Sequence, residues 1–131
     1  MLKNKLTLAI LGAMGMASVA FAAPKQMVTH NHTDVESNAY IDGVIGSQFP
    51  TKPYSDNKVF WASVKLACYG HINPQHECRS LVRMATNSDN PVDLGWMTVN
   101  LVTGELNPKI LRNNGYRLEV NGPGEVTLNL E

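Results

Sequence analysis

Alternation of apolar and polar side chains runs through four segments of this chain: residues 59–69, 94–102, 116–120 and 126–130. Successive side chains of a β-strand point to opposite faces, so each segment is predicted to form a strand with one apolar face. The last two segments flank residues 121–124 (NGPG), which have the length and composition of a β-hairpin connection. The pattern therefore favours an antiparallel architecture.

Two tryptophans lie on the polar side of this alternation. In the first segment the alternate residues from Phe60 to Cys68 form the apolar face, which leaves Trp61 on the opposite one. In the second segment Met97 is on the apolar face and Trp96 points to the other face. Exposed aromatic side chains mark interaction surfaces or platforms for sugar stacking. The alternative is a sheet covered on both faces, in which both tryptophans belong to the core.

Other signals assign the remaining elements. Residues 78–86 are apolar and fit either a strand or a helix. Asn107 and Pro108 suit the N-cap and first position of a helix, and Gly115 suits the position just past its end. A turn at 103–104 leads to a short partner strand. The predicted fold class is mainly β, a small antiparallel β-sandwich or barrel with one short helix. An α+β domain is the alternative if residues 78–86 are helical.

The first 22 residues have the three parts of a secretory signal. Lys3 and Lys5 give a positive start, residues 6–21 are uncharged and mostly apolar, and residues 20–22 (AFA) form a small-x-small cleavage site. The apolar run is shorter than the roughly 20 residues that a membrane-spanning helix needs. We therefore expect cleavage after residue 22 and a periplasmic or secreted protein.

Cleavage would leave 109 residues, enough for one domain. Residues 23–36 are predicted to be a polar N-terminal arm or an edge strand, residues 46–58 a long surface loop, and residues 37–131 a single disulfide-stapled β domain. The chain has 11 basic and 11 acidic side chains, and loss of the two signal lysines leaves 9 basic ones. This balance argues against a nucleic-acid partner. No later segment is long and apolar enough to span a membrane.

Cys68 and Cys78 are the only cysteines of the chain, and both follow the signal. In an oxidising compartment they are predicted to form a disulfide, and closing a loop of this size stabilises a fold by roughly 2.5–3 kcal/mol. Residues 69–77 then form a constrained, exposed loop. The alternative is a zinc site that uses both thiolates with His71 and His76.

A second histidine cluster lies in the polar arm. His30, His32 and Asp34 alternate, so in an extended strand they share one face. Imidazole and carboxylate groups are ligands for Zn²⁺ and Cu²⁺, which makes these residues a candidate metal site. The alternative is a solvated arm without a metal.

No motif of a known enzyme class is present: the chain lacks a nucleophile elbow, a P-loop, a dinucleotide-binding glycine motif and a zinc-protease motif. We therefore predict a non-enzymatic binding module without a cofactor, whose constrained loop meets a protein or glycan partner in the envelope or outside the cell. A Zn- or Cu-binding periplasmic protein is the alternative, and an envelope hydrolase is a third hypothesis. The candidate binding residues are Trp61, Tyr69, His71, Asn73, His76 and Trp96.

Overall fold

The computed structural model describes residues 22–131, which form ten strands and one helix. The elements in chain order are β1 (Gln26–Asn31), β2 (Ser37–Ile41), β3 (Ile45–Gly46), β4 (Ser55–Phe60), α1 (Trp61–Ala67), β5 (Glu77–Met84), β6 (Val92–Asn100), β7 (Leu106–Asn107), β8 (Ile110–Asn113), β9 (Tyr116–Gly122) and β10 (Glu125–Leu130). Apart from Ala22, the predicted signal lies outside the described residues.

The strands form two five-stranded sheets. The first sheet has the order β4-β1-β10-β9-β8 and the second the order β3-β2-β5-β6-β7. Neighbouring strands are antiparallel except β1 and β10, which run parallel with Val28 opposite Glu125. This architecture confirms the predicted mainly-β fold with one short helix. The α+β alternative is wrong, because residues 77–84 form strand β5.

The two sheets bury their apolar faces against each other. The main core contains side chains from both sheets: Val82, Met84, Leu94, Met97, Leu106, Leu118, Val126 and Leu128. Met97 and Leu101 are buried and Trp96 is exposed, as the alternation in residues 94–102 predicts. The hairpin predicted over residues 116–130 is also confirmed, since β9 and β10 pair with Leu118 opposite Leu128.

The strand predicted over residues 59–69 is wrong beyond Phe60, because Trp61–Ala67 is helix α1. Trp61, Val64 and Cys68 are spaced three and four residues apart, so a helix places them on one face. They pack into a second cluster with Ile41 and Leu101. Their burial decides the conformation of a segment whose alternation also fits a strand.

The helix predicted to begin at Asn107 is wrong as well. Residues 110–113 form β8, which turns into β9 at Asn114 and Gly115. These two residues have φ values of 53° and 85°, the left-handed conformation that a two-residue hairpin turn requires. Gly115 therefore belongs to a hairpin and not to a helix end.

The N-terminal arm is part of the first sheet. Strand β1 lies between β4 and β10, so the expected edge strand is an interior one. Its polar end is satisfied internally: the Asn31 side-chain amide donates to the Val35 carbonyl at 2.8 Å, and the Thr33 hydroxyl donates to Asn31 Oδ1 at 2.7 Å. The surface loop predicted over residues 46–58 ends earlier than expected, where β4 begins.

Candidate binding surface

A row of three side chains crosses the outer face of the second sheet. Tyr40 of β2 is opposite Leu81 of β5, and Leu81 is opposite Trp96 of β6. Directly opposed residues of neighbouring strands point to the same side of a sheet. Leu81 is buried beneath its neighbours, whereas Trp96 keeps 41% of its surface exposed. The row therefore presents aromatic groups on an apolar base.

Two arginines of β5 stack on these aromatic rings. The Arg79 guanidinium lies 4.0 Å from the Trp96 ring centroid, and that of Arg83 lies 4.7 Å from the Tyr40 ring centroid. Both distances are within the range of cation–π attraction. We call Tyr40, Arg79, Leu81, Arg83 and Trp96 the aromatic–arginine face.

The two arginines differ in whether they form an ion pair. Arg83 Nε donates to Asp93 Oδ1 at 2.9 Å. Arg79 is exposed and makes no ion pair with any residue between 22 and 131. The cationic group beside Trp96 is therefore available to a partner.

A tight turn joins the face to the disulfide loop. Gly43 has φ +78°, and a Cβ atom added there would lie 2.6 Å from Trp96 Cη2, so only glycine lets the backbone approach the indole ring so closely. The preceding Asp42 carboxylate lies 2.7 Å from His71 Nδ1. The turn thus brings the predicted residues His71 and Trp96 to one end of the same surface.

The loop itself is held in one shape. The predicted disulfide between Cys68 and Cys78 is confirmed. Asn73 Oδ1 accepts hydrogen bonds from the amides of Gln75 and Glu77 at 2.9 and 2.8 Å, so this side chain organises the loop. Tyr69 is 80% exposed. His76 is also exposed and has a left-handed backbone conformation, with φ 65°.

Of the two interpretations of Trp61, exposed or part of the core, the structure supports the second, so Trp61 is wrong as a candidate binding residue. Its side chain is only 5% exposed, and its indole Nε1 donates to the Leu101 carbonyl at 2.9 Å. Trp61 is therefore an anchor for helix α1 and takes no part in the candidate surface.

The histidine residues of the candidate metal site do not converge on a common point. His30 lies between two carboxylates, with Nδ1 2.7 Å from Asp56 Oδ1 and Nε2 2.6 Å from Glu125 Oε2. His32 and Asp34 are exposed beside it. Within residues 22–131, no group of three ligand-type side chains has an arrangement that could hold a metal ion. The alternative zinc set is excluded in this structure, because both of its cysteines are in the disulfide.

The two carboxylates change the proton affinity of His30. The hydrogen bonds that the His30 ring donates, first to Asp56 and second to Glu125, raise the pKa of His30 above its ordinary value of 6.5. The same contact with His30 lowers the pKa of Asp56 below 3.8. Each ionised partner stabilises the charged form of the other.

Sequence reasoning missed Tyr40, Asp42, Arg79 and Arg83. Arg79 and Arg83 are four residues apart, so in a strand both side chains point to the same face. Assigning residues 78–86 firmly to a strand would have placed both arginines on its outer side. The contacts of Asp42 and Tyr40 depend on strand pairing between distant segments and leave no local signal.

The chain also resembles proteins that are already known. Residues 2–131 match the sequence profile of a family described as "T2SS substrate NttC". The crystal structure of the Legionella pneumophila type II secretion system substrate NttC is similar to the fold described above, with a TM-score of 0.82 and 50% sequence identity, covering 83% of this chain and 100% of that one. No curated protein matches the chain.

No helix within residues 22–131 has the length and apolar character needed to cross a membrane. The family match extends over nearly the whole sequence, and a solved structure with half of its residues identical has the same fold. The chain therefore belongs to the NttC family of type II secretion system substrates, and the predicted location is confirmed: it is a secreted protein, exported through the periplasm.

Proposed function

We propose that this secreted protein is a non-enzymatic binding module whose aromatic–arginine face meets a protein partner in the envelope or outside the cell. The observation that carries the proposal is the environment of Trp96, which is exposed on a rigid sheet, stacked on Arg79 and fixed from one side by Gly43. Tryptophan and arginine are the residues most enriched among the energetic centres of protein interfaces.

The surface is arranged before a partner arrives. Strand pairing holds the backbone of Trp96, and stacking restricts the long side chain of Arg79. Ordering flexible side chains opposes association, so groups that are already ordered in the free protein favour it. His71, held by Asp42, extends the surface toward the disulfide loop.

A protein partner fits this surface better than a glycan. Sugars stack on the open face of an aromatic ring, but Arg79 lies over the Trp96 ring. The guanidinium of Arg79 makes no ion pair with a described residue and matches a carboxylate in geometry and charge. The partner is therefore expected to bring an Asp or Glu side chain next to an apolar group.

A hydrolytic function gains no support from the two histidine–carboxylate pairs. His30 and His71 are both partly exposed on the surface, with 26% and 31% of their side-chain areas accessible, whereas catalysis needs a cleft that orients a substrate and excludes water.

The proposal is tested with a photocrosslinking amino acid at two matched positions. Thr98 is opposite Arg79 on the second sheet, and Thr127 is opposite Glu119 on the first sheet. The labelled protein is incubated with envelope proteins and with extracellular proteins. We expect a saturable crosslink from position 98 and none from position 127. The crosslink from position 98 is expected to disappear in Trp96→Ala and in Arg79→Ala, provided that each variant keeps the disulfide.

Treatment of the target separates the two partner classes. Protease is expected to remove the crosslinked species, and periodate, which destroys sugars, is expected to leave it. The opposite result would identify a glycan partner. Equal crosslinking from both positions, or binding that survives both substitutions, would exclude this face as the binding surface.

A further inference from the structure

A cavity of about 150 Å³ lies between the two sheets and opens to solvent beside Phe49. Its floor consists of core side chains from both sheets, including Val82, Met97, Leu118 and Leu128. Helix α1 and the disulfide close one end through Val64, Ala67, Cys68 and Cys78. The cavity is therefore part of the interior of the domain and lies on the opposite side of the second sheet from Trp96.

Among residues 22–131, no charged residue lines the cavity. Its polar members are serine, threonine and asparagine side chains: Thr29, Ser37, Asn38, Ser47, Thr51, Asn57, Ser63 and Ser80. Most of the remaining residues are aliphatic. Such a surface offers nothing to compensate the desolvation of an ion, so it selects against charged ligands.

Residues 47–51 cross the open side between the two sheets and form the mouth of the cavity. The amide of Ser47 donates to the Ala39 carbonyl at 2.9 Å, and Thr51 exchanges backbone hydrogen bonds with Ser37. From the other sheet, the Asn57 side-chain amide donates to the Phe49 carbonyl at 2.9 Å. Phe49 lines the cavity and is 42% exposed, so its ring stands between the interior and solvent.

An empty apolar cavity weakens a fold, because the atoms around it lack neighbours on one side. A cavity of about 150 Å³ with apolar walls is known to bind benzene or xenon, and most of the lining residues here are apolar. The volume and the lining of this cavity therefore match a ligand of similar size and polarity.

We propose that the space between the sheets is a binding site for a small uncharged apolar molecule, a single ring or a short hydrocarbon chain, which enters beside Phe49. The site does not depend on the proposed partner-binding face, since the second sheet separates Trp96 from the cavity. The protein would carry two binding surfaces of different chemistry, one on each side of this sheet.

Titration with toluene, followed through the methyl NMR signals of Leu118, Val126 and Leu128, tests the proposal. We expect saturable shifts with one site per chain and a Kd of about 0.1–1 mM, the range open to a ligand of so few atoms. Benzylammonium has nearly the same shape but a positive charge, and its binding is expected to be weaker by at least about tenfold.

Two substitutions of alanine by leucine provide the matched control. Ala39→Leu fills part of the cavity and is expected to weaken toluene binding by about tenfold or more. Ala62→Leu adds the same atoms at an exposed position outside the lining and should leave binding within about twofold. Unchanged binding in Ala39→Leu, or equal binding of the charged probe, would overturn the proposal.

A measurement on the wild-type protein tests the proposed cavity site even if Ala39→Leu does not fold. Intermolecular nuclear Overhauser effects between toluene and the Leu128 methyl groups are expected if the ligand enters the cavity. Shifts confined to exposed aromatic residues such as Trp96, or no saturable shifts at all, would show that the cavity takes no ligand.

Discussion

Gly43 and Gly70 have the same left-handed backbone conformation but different surroundings. Their φ values are +78° and +84°. A Cβ atom at Gly43 would meet the Trp96 ring, whereas nothing lies within 4 Å of the corresponding position at Gly70. The two residues therefore separate the cost of backbone strain from the cost of displacing a side chain.

We predict that Gly70→Ala lowers the free energy of unfolding by about 1–2 kcal/mol, the cost of placing a side chain in the left-handed region. Gly43→Ala should lower it by a further ~1–3 kcal/mol, because Trp96 must move. Urea unfolding of both variants measures the difference, and tryptophan fluorescence reports the altered position of Trp96. Equal losses in the two variants would mean that the contact between Gly43 and Trp96 contributes nothing.

His30 links three strands of the first sheet through charge. It belongs to β1, its partner Asp56 to β4 and its partner Glu125 to β10. Because the pKa of His30 is raised in the folded state, its protonated ring stabilises the fold. This contribution is complete below about pH 6.5 and is lost as the pH rises through the raised pKa. The lowered pKa of Asp56 contributes above about pH 3.8 and is lost as the pH falls through the lowered value.

The stability difference between the wild type and His30→Gln should therefore be greatest near about pH 5.5 and smaller at pH 8. Urea unfolding at a series of pH values measures it. High salt should reduce the difference, since these groups are partly exposed and their interaction is screened. His32→Gln serves as the control for loss of an exposed histidine. A difference that does not vary with pH would contradict the assignment.

Helix α1 depends on its tertiary contacts. It has only seven residues, and the residue at its N-cap, Phe60, provides no side-chain cap. Isolated helices of this length do not persist in water. Trp61 fixes its first turn by burial and by the bond to Leu101, and the disulfide ties Cys68 at its end to β5.

Replacing both Cys68 and Cys78 by serine should lower the free energy of unfolding by about 2.5–3 kcal/mol. This is the free energy that corresponds to the entropy of closing a loop of this size. The rate of backbone amide hydrogen exchange should increase most in α1 and in the loop that follows it. The β9–β10 hairpin, whose buried residues belong to the main core and not to the cluster that contains the disulfide, provides the internal control. Uniform loss of protection in both regions would show that the crosslink does not act locally.

At the level of elements, the sequence predicts strands well where alternation is unambiguous and fails where two signals overlap. The alternation predicts the strand over residues 94–100 and the final hairpin correctly, whereas residues 101–102 belong to the turn that follows. In residues 61–67 the same side chains fit a helix with one buried face, and only packing against Leu101 and Ile41 distinguishes the two. Gly115 satisfied a helix-end pattern, although Asn-Gly, the pair it forms with the preceding residue, is also the strongest signal for a tight hairpin.

Features that combine distant segments could not be predicted in this way. The aromatic–arginine face depends on the registers of β2, β5 and β6, and the cavity depends on how the two sheets face each other. A polar composition suggested that residues 23–36 lie outside the domain. The buried hydrogen bonds of Asn31 and Thr33 explain how such residues instead belong to its interior.

For the whole molecule, the position of β1 predicts what a truncation does. Deletion of residues 22–31 should abolish folding, because β4 and β10 would lose the strand that joins them. Deletion of residues 22–23 alone should change the melting temperature little, since both are exposed and precede β1. Circular dichroism and thermal unfolding of the two variants measure the effect. A folded protein without β1 would show that the first sheet can rearrange.

The parallel pairing of β1 with β10 also sets the order of events in folding. Strand β1, near the start of the domain, needs β10 as its neighbour, with Asn31 opposite Leu128. Until residues 125–130 are available to pair, that neighbour is missing and the first sheet stays incomplete. Completion of this sheet is thus a late step that requires nearly the whole length of the domain.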